Sequence, residues 1–181
     1  MTNTIDQDAY LAAWHFACRS HLGQTLPGSP LPYINHIGGV VMEVLVALGR
    51  EPVDQPDLAV QCALLHDVLE DTETGYGQIE SQFGRPVAQG VLALSKDPNI
   101  TDKTARMSDS LARIRRQPKE VWMVKLADRI TNLQPPPTHW TPERIASYLS
   151  EAKHILQELA AGSPLLAARL EQKISAYRAY L

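Results

Sequence analysis

The chain has 181 residues, 44% of them hydrophobic, with 17 Lys and Arg against 20 Asp and Glu and a net charge of −3. That length supports one domain with a real core and is short for two, and the mildly acidic balance argues against a protein that coats nucleic acid. No apolar run approaches eighteen residues, and Met1-Thr2-Asn3-Thr4-Ile5-Asp6 has neither a basic start nor a following apolar stretch, so neither a membrane span nor a secretory leader is expected and the protein reads as cytoplasmic.

In chain order, Tyr10, Leu11, Trp14, Ala17 and Cys18 recur near the helical period and predict a first helix over about 5–22, with Thr4 or Asp6 as its cap. Gly and Pro between Gly23 and Pro32 mark a loop. A second helix opens at Tyr33-Ile34-Asn35-His36 and runs to Gly49. His36 stands near its start; alone, it reads more readily as a structural or surface histidine, and gains interest if the fold brings it towards His66. After the linker Pro52–Pro56, a third helix begins near Asp57 and carries the stretch Ala63-Leu64-Leu65-His66-Asp67-Val68-Leu69-Glu70-Asp71-Thr72.

That stretch sets an imidazole and three carboxylates on an otherwise apolar helix. Residues three and four apart share a helix face, so Glu70 is expected beside His66 and Asp67, and Asp71 beside Asp67. Buried carboxylates persist when paired, hydrogen-bonded or bound to a metal, and a divalent cation is the simplest partner. The plainer alternative is a helix end whose acids are solvated. Cys18 and Cys62 lack zinc-type spacing and read as buried free thiols.

Glu73–Gly77 is a loop, Ile79–Phe83 a short helix, and Pro86 a first-turn proline for a helix ending at Leu94. Lys96–Asn99 reads as polar and mobile, and Thr101–Arg116 as an amphipathic helix carrying Lys103, Arg106, Arg113, Arg115 and Arg116. Val121–Leu133 is almost wholly apolar apart from Lys125, Asp128, Arg129 and Asn132, with Asp128 and Asn132 one turn apart; Asp128 can be read as an ion pair with Arg129 or Lys125, or as a ligand. Pro135-Pro136-Pro137 ends that helix, Thr141-Pro142 starts a long one to Gly162, and Ser163-Pro164 starts the last, over 165–181. No β pattern occurs. Charge is uneven: residues 1–100 hold 4 basic and 12 acidic side chains, residues 101–181 hold 13 and 8, an arrangement suited to a metal and an anionic ligand.

His36, then His66-Asp67, then Asp128 reproduces in order the metal signature of the HD phosphohydrolase superfamily. Pro32-Tyr33-Ile34-Asn35-His36, His66-Asp67-Val68-Leu69-Glu70-Asp71-Thr72 and Val124-Lys125-Leu126-Ala127-Asp128-Arg129 are similar to the hydrolase domain of RelA/SpoT-type alarmone enzymes. With no room for a synthetase domain, the chain resembles the stand-alone small alarmone hydrolases. The resemblance covers about residues 12–159 and implies an all-α HD-domain bundle of about eight to ten helices, a single domain over 1–181 with its core over about 12–160.

The resemblance further implies one Mn²⁺ held by His36, His66, Asp67 and Asp128. Glu70 and Asp71 would orient or deprotonate the attacking water, and a small-molecule nucleotide would lose its 3′-pyrophosphate. Tyr33 and Asn132 match nucleoside contacts, Arg144 and Tyr148 match phosphate and sugar contacts, and Lys103 or Arg106 is placed to meet the 5′-phosphates. Neither nucleic acid nor membrane is an expected partner. An HD-type nucleotidase would share the four ligands without the Glu70-Asp71-Thr72 word, a reduced-dinucleotide phosphatase is a further alternative, and a non-catalytic sensor would be expected to lose a ligand or acid. Two departures bear on the base: Gln24-Thr25-Leu26-Pro27 stands where the family carries a basic pair, and Gln134-Pro135 replaces an Arg-containing pair. The expectation is that the chemistry is kept and base preference is relaxed or moved toward adenosine.

Overall fold

The computed structural model describes residues 4–181; Met1, Thr2 and Asn3, the start of the segment read above for a leader, lie outside the described residues. Ten α-helices follow one another and no strand occurs among the described residues, as the all-α reading expects. Asp6 caps α1 (Gln7–Ser20), its carboxylate accepting from the backbone N–H of Asp8 and Ala9. α2 spans Ile34–Leu48 and α3 spans Pro56–Leu65, with proline at its start. α4 is the single turn Val68–Asp71; α5 (Tyr76–Phe83) and α6 (Arg85–Leu94) meet at Gly84, whose φ of 84° favours glycine. Asp102 caps α7 (Lys103–Ile114), α8 spans Lys119–Asn132, Thr141 caps α9 (Pro142–Leu159), and Ser163 caps α10 (Pro164–Tyr177).

The core forms where α2, α3 and α8 pack on one another, with α1 against α3, α6 against α3 and α8, and α9 and α10 against α8. Ile37, Val40 and Val44 of α2, Ala63, Leu64 and Leu65 of α3, and Met123, Val124, Leu126 and Ile130 of α8 are all fully buried. Polar ties fix the outer helices. Arg169 of α10 donates twice to the buried Glu43 carboxylate of α2, at 2.5 and 2.6 Å, and Glu51 accepts from the Ser163 hydroxyl and from the backbone N–H of Leu165 at the start of α10. No described helix is long and apolar enough to cross a membrane.

Gly90 marks a close approach. A Cβ there would lie 2.6 Å from Cys62 Sγ and 3.1 Å from Val121 Cγ2, so α6 sits against α3 and α8 through the missing side chain. Gly90→Ala is expected to destabilise by about 1–2 kcal/mol, overpacking outweighing the gain in helix propensity. Urea unfolding measures this; unchanged or raised stability would mean that the contact relaxes at no cost.

The structure departs from the sequence reading in small bounds, α5 starting at Tyr76 inside the expected loop and α9 stopping at Leu159 with a 3-10 turn over Ala160–Gly162, and more consequentially at three places. The third helix does not run through the central stretch. It ends at Leu65, His66 and Asp67 form a turn, and α4 resumes at Val68. Asp67 takes φ −101°, ψ −5°, and the His66 ring turns back to its own helix, Nδ1 meeting the Ala63 carbonyl at 2.9 Å. The Asp67 carbonyl still accepts from the Asp71 N–H at 2.9 Å, so those two acids remain one turn apart, whereas Glu70 leaves the shared face. The second departure is Lys96, read as mobile but pinned to Glu70 as described below. At the C-terminus α10 stops at Tyr177 and a 3-10 turn, Arg178–Tyr180, takes its place. Cys62 is buried and Cys18 partly so, both free thiols.

Candidate metal centre and nucleotide cavity

Three elements bring four candidate donor side chains close together: the first turn of α2 brings His36, the α3–α4 turn brings His66 and Asp67, and the polar stripe of α8 brings Asp128, which lies near the histidines but outside the tight group of the other three. His36 Nε2 lies 3.3 Å from His66 Nε2, 3.6 Å from Asp67 Oδ2 and 3.5 Å from Asp128 Oδ1. His66 Nε2 lies 2.9 Å from Asp67 Oδ2 and 4.0 Å from Asp128 Oδ1. The histidine nitrogens and the Asp67 oxygen fall within the span of one metal ion's ligands. The donor chemistry fits a cation. Nδ1–H of His66 donates to the Ala63 carbonyl, which directs the Nε2 lone pair into the cluster, and two imidazoles and two carboxylates facing each other need a positive centre.

The surroundings orient these donors. Lys125 Nζ donates to Asp128 Oδ2 at 2.8 Å and the Asn132 amide donates to Oδ1, so one turn of α8 fixes both carboxylate oxygens. Burial opposes charge on Asp128, but the Lys125 ammonium and the two histidines hold its pKa well below the usual carboxylate range. Asp67 behaves alike, its burial outweighed by His66. For His66, burial works against the imidazolium, and the Asp67 and Asp128 carboxylates overcome it, lifting the pKa to about 9. Tyr33 donates its hydroxyl to Asp67 Oδ2 at 2.6 Å, with Asp71 Oδ2 at 3.4 Å; burial and these carboxylates push the phenol's pKa up.

Asp71 and Glu70 take different places. Asp71 is exposed beside Tyr33, its pKa raised by partial desolvation and by the Asp67 and Glu70 charges. Glu70 instead accepts from Lys96, Oε1 from Nζ at 2.8 Å and Oε2 from the backbone N–H at 3.0 Å. An open acidic cleft bordered by Ser20, Gln24, Glu70, Asp71 and Glu73 lies on this side. Opposite, His36 and Asn132 share a cavity of about 400 Å³ with Leu26, Pro27, Pro135, Trp140, Tyr148 and Tyr177. No Lys or Arg lines it among the described residues. Trp140 and Tyr148 meet edge to face at 5.2 Å, and Tyr148 tilts on Tyr177 at 6.1 Å.

Of the sequence-predicted nucleotide contacts, Asn132 and Tyr148 line this cavity, while Tyr33 stands on the acid side. Arg144 is exposed, its guanidinium 4.3 Å from the Trp140 ring centroid. Lys103 and Arg106 are not among the residues lining the cavity, and Arg106 Nε donates to the Ile100 carbonyl at 2.6 Å, holding the loop before α7. Sequence reasoning missed His21, Lys96 and Trp140, and saw Gln24 only as the start of the departure in the first loop. His21 Nδ1 lies 2.8 Å from Gln24 Oε1, and Gln24 Nε2 donates to the Asp71 carbonyl at 2.7 Å, which ties the first loop to α4. The three-residue spacing of His21 and Gln24 across the start of the loop was a usable signal; for Lys96 the sequence offered none.

A model of the family described as HD domain matches residues 13–165. The zebrafish guanosine-3′,5′-bis(diphosphate) 3′-pyrophosphohydrolase MESH1 is 29% identical over 87% of this chain and 88% of its own. The human protein of that name is 30% identical over 82% and 83%. A solved structure described as a metazoan orthologue of SpoT that hydrolyses ppGpp superposes with a TM-score of 0.82 at 27% identity, covering 99% of this chain and 100% of that one. The helical order, the converging His36, His66, Asp67 and Asp128 and these likenesses agree: the chain belongs to the HD-domain family and is similar to metazoan relatives of SpoT over most of their length.

Proposed function

We propose that this protein is a metal-dependent hydrolase that removes the 3′-pyrophosphate of alarmone nucleotides, (p)ppGpp or (p)ppApp, releasing pyrophosphate and the nucleoside 5′-di- or triphosphate. The observation that carries the reading is the four-donor cluster standing between a water-accessible acid, Asp71, and a ring-lined cavity of nucleoside size. The zebrafish and human relatives are named for this reaction on the guanosine nucleotide.

His36, His66, Asp67 and Asp128 would hold the ion, and a mixed imidazole and carboxylate set suits Mn²⁺. Bound there, such an ion offsets phosphate charge and lowers the pKa of bound water. Asp71 takes the proton of the attacking water, whose oxygen bonds to the phosphorus next to the ribose as the bond from that phosphorus to the 3′-oxygen breaks. The 3′-oxygen departs toward the cavity and is protonated by solvent. Tyr33 keeps the Asp67 and Asp71 carboxylates in fixed relation. The nucleoside lies against Tyr148 and Trp140 with Asn132 at its edge, and Arg144, at the Trp140 end, is better placed than Lys103 or Arg106 to meet the 5′-phosphates.

The cavity has Leu26-Pro27 and Gln134-Pro135 where the resemblance expects cations, so nothing charged selects the guanine edge and adenine is accepted. Metal-stripped protein assayed with and without Mn²⁺ on ppGpp and ppApp, beside an Asp67→Ala control, is expected to release pyrophosphate only with metal and with Asp67 intact. The kcat/KM for ppApp is expected to equal or exceed that for ppGpp. A clear guanosine preference would reject the base assignment; no turnover of either with metal bound would reject the alarmone reading and direct assays to ordinary nucleotides and reduced dinucleotides.

A further inference from the structure

The Glu70–Lys96 pair is the part of the site that water activation does not use. Both oxygens of Glu70 are occupied by one residue through two different donors, the side-chain ammonium at 2.8 Å and the backbone N–H at 3.0 Å. The backbone there is fixed: Ser95 Oγ donates to the Val91 carbonyl at 2.9 Å, and Arg113 Nη2 donates to the Ser95 carbonyl at 2.8 Å. A carboxylate so engaged is poorly placed to orient a water. It is well placed to hold an ammonium beside the metal donors until a stronger anion arrives.

Other cations near the donors are committed. Lys125 is buried on Asp128; Arg129 gives only Nη2 to Glu151, but it lies buried beneath the Tyr148 ring with its Nε and Nη1 also enclosed, whereas Lys96 is partly open to the cleft. Lys96 keeps 35% of its side chain accessible, and burial acting against its charge is outweighed by Glu70, with Asp128 and Asp67 behind it, so its pKa is raised and it stays an ammonium at neutral pH. The substrate assigned above brings two linked phosphates past Asp67, Glu70 and Asp71. The nucleoside cavity offers the outer phosphate no cation, and the acidic cleft repels it.

We propose that Lys96 is the cation that receives the outer phosphate of the 3′-pyrophosphate, exchanging Glu70 for it, and that Glu70 serves to position Lys96 while Asp71 alone accepts the proton. This rests on the hydrolase reading. A four-carbon stem with three rotatable donors permits the exchange, and the Lys96 backbone N–H keeps hold of Glu70 throughout. Lys96 therefore distinguishes a pyrophosphate from a single phosphate, and Glu70→Gln acts through it.

The test is product inhibition at fixed free Mn²⁺, using inorganic pyrophosphate and GDP as probes on the wild type, Lys96→Ala, Lys96→Arg and Glu70→Gln, with thermal melts of each. Lys96→Ala is expected to raise the inhibition constant of pyrophosphate at least tenfold and change that of GDP less than twofold. Lys96→Arg should recover most of the loss, and the melting temperature should hold because the pair is partly exposed. An unchanged pyrophosphate constant, or an equal rise for GDP, would overturn the assignment. A wild type that releases no pyrophosphate from either alarmone would overturn the hydrolase reading instead, and direct calorimetric titration of pyrophosphate into the Mn²⁺-loaded wild type and Lys96→Ala still decides whether Lys96 binds it: a tenfold weaker affinity for the variant supports the contact, equal affinities reject it.

Discussion

Chelation of the metal, or His36→Ala, is expected to lower turnover at least about a thousandfold, the equivalent of the several kcal/mol that a bound cation supplies to phosphoryl transfer. His36→Ala is a cleaner probe than Asp128→Ala. Asp128 also neutralises Lys125, buried 2.8 Å away, so its removal leaves an uncompensated ammonium in the core at about 3–5 kcal/mol and should lower the melting temperature even without metal. His36→Ala should not. The pH dependence has a definite sign. In metal-free protein the His66 pKa stands near 9, above its ordinary 6.5, so its contribution to stability, at most about 3 kcal/mol, is complete below pH 6.5 and is lost as pH rises through 9. A cation displaces that proton, so metal affinity rises over the same range. Melting curves at pH 6 and pH 9, with and without Mn²⁺, should show the larger metal-induced increase at pH 9. Equal increases, or full metal content in His36→Ala, would remove these residues from the ligand set.

The helices and their ends were legible where punctuation is covalent. Pro56, Pro142 and Pro164 open helices, Gly49 closes one, and Pro135-Pro136-Pro137 prevents α8 from continuing. The four candidate donors were legible as an ordered set only through the resemblance to the HD signature; the residues alone marked the His66–Asp71 stretch, where ionisable groups in an apolar helix need a reason, and left His36 and Asp128 open. The break at His66–Asp67 was not, since Leu65, Val68 and Leu69 continue an apolar helical pattern, and only the tertiary arrangement of α2 and α8 shows why the side chains are better served by a turn. Lys96 was illegible for another reason. Its partner Glu70 is 26 residues away and the intervening α5 and α6 decide the meeting, so local polarity suggested mobility where the fold supplies an ion pair. Trp140 followed three prolines and a turn, a segment with no period to read, yet it forms a wall of the cavity that His36 and Asn132 line.

Asp71→Asn is expected to lower kcat by about 10²–10⁴ with metal content and melting temperature near wild type, because its side chain is exposed and belongs to no buried pair. The acid's environment predicts the shape of the pH profile. Burial, then the Asp67 and Glu70 charges, raise the Asp71 pKa, so the acid limb of kcat/KM should lie above the ordinary carboxylate range, and the group gains basicity at neutral pH where the reaction needs it. Glu70→Gln removes one of the two like charges and should move that limb to lower pH, whereas Asp71→Asn should erase it. The pair of profiles separates the two acids: a base loses its limb when neutralised, and a neighbour only shifts the limb. Should Asp71→Asn keep the limb and most of kcat while Glu70→Gln loses both, the proton acceptor is Glu70, and Lys96 must then leave it before each turnover.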